Sequence, residues 1–171
     1  MILGTTNLIN QGKVIVYVAL AGLLAMLGGI MWYLSLDQPQ LGLMEIKGVD
    51  VNVKSVNSID GKANLYVNFL IKNPSDKVLT ILSIDYELFA NGTPVGKGRY
   101  STEDIPLPGR AAFYPNAEIT LPSEFQLVRY DSNSDVYNAI VNEEPVKFSA
   151  KGKMVVESAW SSVEKDFEIS Q

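Results

Sequence analysis

The chain has no cysteine and no histidine. Those two absences remove disulfides, thiolate nucleophiles, imidazole acid–base catalysis and the usual ligands of zinc, iron and copper in one step. Most hydrolytic, redox and group-transfer classes go with them, so no catalytic residue and no cofactor is expected. Basic residues are scarce and scattered: 14 Lys plus Arg stand against 19 Asp plus Glu in 171 residues. One of the 14 is Lys13, which leaves the rest of the chain near −6. Nucleic acid and anionic lipid are therefore not expected as partners, because phosphate recognition needs concentrated Lys and Arg.

What the sequence does contain is a stretch with no charge at all. From Val14 to Leu36 it runs 23 residues between Lys13 and Asp37. At about 1.5 Å of rise per residue, such a helix spans the roughly 30 Å hydrocarbon layer of a bilayer. A secretory signal has an apolar region of about 7–15 residues ending at a small-residue cleavage site. Here Ala19-Leu20-Ala21 falls inside the run, and Ser35 to Gln38 fit cleavage poorly. The expected organisation is a short cytoplasmic N-terminus (1–13), retained on an uncleaved transmembrane helix (14–36), a linker (37–42) and one domain (43–171). Lys13 and the terminal amine on the short side, against Asp37 on the long side, place the domain on the outer face of the cell membrane under the positive-inside bias. Within the run Ala21, Ala25 and Gly29 recur every fourth residue, with Gly22 and Gly28 nearby. A helix presents them as one smooth stripe that either admits a second helix or faces lipid, where such residues are common.

Past the linker the periodicity is that of strands. Val49, Val51 and Val53 alternate with Asp50, Asn52 and Lys54, and Ala63, Leu65, Val67, Phe69 and Ile71 repeat the pattern, so two neighbouring half-buried strands are expected. Leu82, Ile84, Tyr86 and Leu88 form a third face running into Asn91-Gly92, a dipeptide suited to a tight hairpin, with Val95 to Tyr100 returning. Pro106, Pro108 and Gly109 mark a loop. Phe113, Ile119 and Leu121 suggest another strand interrupted by Pro115, with Pro122 and Ser123 ending it. From Ser123 to Asn142 the spacing of Phe125, Val128, Val136 and Ile140, with Tyr137 and Val141 offset, predicts one helix or two short ones. Val146, Phe148 and Ala150, then Val163, Phe167 and Ile169, complete seven strands, the last two separated by a turn at Trp160 to Ser162. A mostly β fold follows: a seven-stranded antiparallel β-sandwich with one helical excursion.

Asn73-Pro74 closing an alternating strand, the strand through Ile84, Asp85, Tyr86 and Leu88, the return through Gly98, and Ile105-Pro106-Leu107-Pro108-Gly109 before a new strand together resemble the water-stress and hypersensitive-response (WHy) domain of type 2 late-embryogenesis-abundant proteins. The likeness covers roughly Leu43 to Ile169 and is strongest from Leu65 to Leu121; Ser75 stands where family members often carry a second Asn. The resemblance implies a sandwich similar to fibronectin type III domains with no catalytic residues and no cofactor, in a stress-protective protein. Asn73-Pro74 has a plain reading beside it: Pro stops the ladder for want of an N–H, and Asn tolerates the extended conformation before it.

Other constellations have a functional and a plain reading each. Asp131, Asn133 and Asp135 match the first three ligands of a calcium loop, but Val136 stands where the loop needs Gly and Asn142 where it needs Glu. The expectation is a polar break with Asp135 capping the following helix. Asn91-Gly92-Thr93 is a glycosylation sequon as well as a turn. Glu103-Asp104 and Glu143-Glu144 read as solvated surface charges. Tyr100, Tyr114 and Trp160 are candidate partner contacts, since exposed aromatics favour interfaces. The function expected is a membrane-anchored, non-catalytic binding or protective domain outside the cytoplasm. Its partners are then the lipid bilayer and, through the small-residue stripe, other membrane subunits or a second copy. One alternative is an accessory structural subunit of a larger membrane complex. Another is a pilin-like filament subunit, although Gln11-Gly12 before Lys13 matches pilin processing poorly.

Overall fold

The computed structural model describes residues 5–36, 38–103 and 109–171. They fall into two compact units, 1–37 and 38–171. Asp37, Asp104 and the Ile105-Pro106-Leu107-Pro108 motif lie outside the described residues.

The first unit is one helix, α1 (Thr5–Ser35). It starts nine residues before the apolar run, since no proline stands between Thr5 and Lys13 and a nucleated helix propagates through the single Gly12. Its stretch Gly12–Tyr33, 22 residues, is long and apolar enough to be a membrane anchor or a signal sequence, and none of it is buried.

The second unit opens with a short helical turn, α2 (Gln38–Leu41), and continues through β1 (Glu45–Asn57), β2 (Lys62–Lys72), β3 (Leu79–Ala90), β4 (Thr93–Ser101), β5 (Ala112–Phe113) and β6 (Glu118–Val128). A 3-10 turn (Asp131–Asn133) leads into α3 (Ser134–Val141), followed by β7 (Phe148–Glu157) and β8 (Ser162–Ser170). Two antiparallel sheets result, β1-β2-β6 and β4-β3-β7-β8, with β5 beside the start of β3. Their apolar faces share one core in a sandwich-like arrangement. The eighth strand is the two-residue β5, too short to leave an alternating signature.

β2 shows the cause most plainly. Ala63, Leu65, Val67, Phe69 and Ile71 are all fully buried, and burying each of the larger ones contributes about 1.5–3 kcal/mol. In β3 a register shift between Ile81 and Ser83 changes the phase. Ile81 and Ile84 are buried while Leu82 is only half-buried, so Leu82 is not on the inward face that alternation assigned it. At the β3–β4 hairpin Asn91 and Gly92 have φ of 50° and 80°, the left-handed pair that a two-residue turn of matching twist requires.

Of the stretch expected to be helical, Ser123 to Asn142, the first part to Val128 is instead the second half of β6, while the 3-10 turn and α3 fall in the remainder. Leu121, Ser123, Phe125 and Leu127 point inward at period two, and the polar Ser123 breaks the apolar alternation that would have announced it. Pro122 does not end the strand. It lies within β6 opposite Asn68 of β2, and β6 is an edge strand whose outer side needs no N–H donor.

Ser123 is buried for a reason. Tyr86 Oη donates to Ser123 Oγ at 3.0 Å, and Ser123 Oγ donates to the Arg99 carbonyl at 3.4 Å, so β3, β6 and β4 are tied across the sandwich. The Tyr86 ring meets Phe69 edge-on at 4.9 Å and lies where a side chain on Gly98 would be, 2.4 Å from the site of its missing Cβ. Phe125 occupies the same place over Gly96, whose φ of 148° also favours glycine. Burial pushes the Tyr86 phenol above its ordinary range, opposed by its bond to Ser123. A raised native pKa means that this contribution to stability is fully present below the unfolded value of about 10 and is lost as pH rises through the native one. Thermal melts across that range should therefore show wild type losing stability faster than Tyr86→Phe, and parallel pH profiles would refute the assignment.

The two ends of the sandwich differ in what reaches them. At one, here the Asn73 pole, β2 ends and β3 begins, with Glu45, Lys72 and Glu118 in one sheet and Leu79, Phe113 and Glu157 in the other. The β1–β2 turn around Ile59 marks the opposite pole.

Candidate functional site

The sequence-predicted residues do not converge. Ala21, Ala25 and Gly29 lie on α1 with their surfaces exposed. Tyr100 is on β4 and packs partly against the core, whereas Tyr114 and Trp160 are 64% and 72% exposed in connections at the Asn73 pole. Asn91 is exposed at its hairpin, its side-chain carbonyl accepting from the Lys147 amide at 3.0 Å. Glu103, Glu143 and Glu144 are exposed.

Asn133 is buried and occupied with the chain itself. Its carbonyl accepts from the Tyr130 N–H at 2.7 Å, and its amide donates to the Val128 carbonyl at 3.0 Å. Asp131 and Asp135 are exposed, and among the described residues no group of three or more carboxylates is gathered for a metal. Asp135 does not cap α3. The helix begins one residue earlier, after Asn133, and Asp135 falls in its first turn, where its charge meets the positive end of the helix dipole.

Asn73 holds together the loop from β2 to β3. Its amide donates to the carbonyls of Lys77 (2.7 Å), Phe113 (2.8 Å) and Tyr114 (3.3 Å). Its carbonyl accepts from Ser75, by the N–H at 3.1 Å and the hydroxyl at 2.6 Å. The Ser75 that departs from the family pattern thus supplies two donors within the loop.

A feature the linear reading missed lies on the outer face of β4-β3-β7-β8. Register aligns Arg99, Asp85, Lys153 and Asp166 in one row across the four strands. Lys97, Glu87, Lys151 and Glu168 form a second row. Both rows alternate in sign. Arg99–Asp85 and Lys151–Glu87 are paired at 3.6 and 3.7 Å, while Lys153 also reaches Glu164 along β8's edge, and that hydrogen bond holds its ammonium pKa above the ordinary value. Between the rows run Gly98, Tyr86, Gly152 and Phe167. Two of these have no side chain, and Tyr86 and Phe167 belong to the core. Backbone therefore floors an open groove of about 750 Å³. Its signal is one triplet per strand, Lys97-Gly98-Arg99, Asp85-Tyr86-Glu87, Lys151-Gly152-Lys153 and Asp166-Phe167-Glu168. Opposite charges so aligned attract across the strands and favour this register.

No protein-family model matches the sequence, and no curated protein matches it. Among solved structures the chain is similar to a protein from Archaeoglobus fulgidus, at 16% identity and a TM-score of 0.45 over 74% of this chain and 94% of that one. It is similar also to an Arabidopsis thaliana protein, at 13% identity and a TM-score of 0.47 over 75% and 83% of the two chains. A late-embryogenesis-abundant (LEA) protein is similar at 14% identity and a TM-score of 0.43, over 92% and 87%.

Proposed function

We propose that this chain is a membrane-anchored, non-catalytic binding or protective domain of the WHy type, held outside the cytoplasm by α1. One observation carries the reading: Gly12–Tyr33 is apolar, unburied and long enough to cross a bilayer, and only Leu36 and Asp37 separate the end of α1 from α2. The motif from Asn73-Pro74 to Gly98 supports the family assignment. The protein's contribution in this reading is to hold a partner or shield a surface, with the bilayer as its fixed partner and no cofactor.

Alkaline carbonate should leave the full-length chain in the membrane pellet, and protease added outside intact cells should remove its bulk. Release by carbonate, or a protected domain, would overturn the proposal. A second reading, an accessory subunit of a membrane complex, is favoured by the exposed Ala21, Ala25 and Gly29 stripe. In the same membranes that reading expects a crosslinked species lost in Ala25→Leu with Gly29→Leu.

A further inference from the structure

We propose that the Asn73 pole of the sandwich sits in the headgroup layer of the bilayer, with Trp160 and Tyr114 as its interfacial anchors. The inference rests on the reading of Gly12–Tyr33 as a membrane span and adds to it a second, peripheral contact made by the folded domain.

Among the described residues four large apolar side chains are exposed at this pole, each in a connection: Leu43 between α2 and β1, Val78 before β3, Tyr114 after β5 and Trp160 between β7 and β8. Val56, Ile59 and Tyr130 are exposed at the opposite pole, so exposure alone does not choose an end. Attachment does. The domain's first residues arrive at the Asn73 pole and are fastened there: Leu41 and Met44 are fully buried, and Lys165 Nζ of β8 donates to the carbonyls of Gly42 and Met44, each at 2.9 Å. From Ser35 to Gln38 the chain reaches at most roughly 11 Å. The headgroup layer on each side of the hydrocarbon is itself about 5–7 Å deep. A helix that spans the bilayer therefore keeps this pole close to the headgroups, and Trp and Tyr are the side chains that settle in that layer, ring toward the acyl chains and polar atom toward water.

Both rings are presented on turns already fixed by hydrogen bonds, so little conformational freedom is lost on insertion. Ser158 Oγ accepts from the N–H groups of Trp160 (3.3 Å) and Ser161 (3.2 Å), and the Ser158 N–H donates to the Ser161 carbonyl at 2.8 Å. The Tyr114 carbonyl accepts from the Ala117 N–H at 2.9 Å and from the Asn73 amide at 3.3 Å. Basic residues at the pole stand beside acidic ones: Lys47 pairs with Glu45 at 2.8 Å, Arg110 with Glu157 at 3.5 Å, and Lys72 lies between Glu45 and Glu118 in the sheet. The contact is therefore with the lipid interface as such and needs no anionic headgroup.

Trp32 and Trp160 are the two tryptophans, so W32F leaves Trp160 as a single probe in the full-length chain. W32F protein is reconstituted in phosphatidylcholine vesicles, washed with carbonate, and compared in lipids brominated at shallow or deep acyl positions. Trp160 emission should fall at least about twofold with the shallow label and less with the deep one. The same loss should appear when phosphatidylserine is added. A second probe, Ile59→Trp in W32F with Trp160→Phe, should be unquenched. Water-like, unquenched Trp160 emission in carbonate-resistant vesicles overturns the inference while leaving the anchor standing. A blue-shifted but unquenched Trp160 overturns it in favour of a protein contact, and equal quenching of the two probes overturns it as general adsorption. Release of the chain by carbonate removes the anchor and the inference together.

Discussion

Gly152→Ala is expected to destabilise the domain by about 3–5 kcal/mol or to prevent its folding. The added methyl would stand 2.0 Å from the Asp85 carbonyl oxygen, 2.8 Å from the Tyr86 Cα and 2.9 Å from the Asp85 carbonyl carbon. All three are backbone atoms of β3, the strand to which β7 pairs at this point. No rotamer change relieves such a clash; β3 and β7 must separate, and their pairing is the central seam of the larger sheet. Gly48→Ala is the matched control, because nothing lies within 4 Å of its added methyl, and it should stay within about 0.5 kcal/mol of wild type. Urea unfolding of the full-length chain in mild detergent, followed by near-ultraviolet dichroism, reads both. Equal midpoints for the two variants would mean that β3 and β7 do not approach as described.

Asn73→Ala should cost about 3 kcal/mol, because it strips one buried side chain of five hydrogen bonds and leaves several groups without a partner. The backbone of Asn73 is committed as well, its N–H to the Ala117 carbonyl at 3.0 Å and its carbonyl to the Asn116 N–H at 2.7 Å, so the loop cannot shift to compensate. Asn73→Asp keeps the shape but turns an oxygen toward the carbonyls of Lys77, Phe113 and Tyr114. It should unfold more readily at neutral than at acid pH, where the carboxyl regains a proton to donate. The same unfolding curves at two pH values test this, and an Asn73→Asp protein as stable as wild type at neutral pH would refute the role given to the amide.

Where alternation was uninterrupted, as in β2, the sequence announced the strand and its inward face together. Where a polar residue earned its buried place through a tertiary bond, the signal failed. Ser123 is inward because Tyr86 reaches it, and that bond exists only once β3 lies over β6; without it, Phe125 and Val128 fall at a spacing that also suits a helix. Asn133 sits among acidic residues at the spacing of a ligand set as well as in the expected polar break, and only the fold shows that its carbonyl and amide close a turn on Tyr130 and Val128. Asn73-Pro74 was legible as a strand end, while the three carbonyls its amide holds together come from segments as much as 41 residues away. The charged rows required the strand order, in which β7 lies beside β3, and no local window contains that fact.

Those rows join Gly152 in guarding against an error that alternation alone would permit. If β7 moved two residues along β3, its apolar side chains would still face inward, because inward positions repeat every second residue. The outer face would notice: Lys151 and Lys153 are bounded by Ser149 and Val155, so either direction of movement puts a neutral side chain opposite Asp85 or Glu87 and strips one rung of its cation. The triplets act as a proofreading scale for alignment, and strong salt should blunt it, leaving refolded molecules with a larger share of misaligned chains.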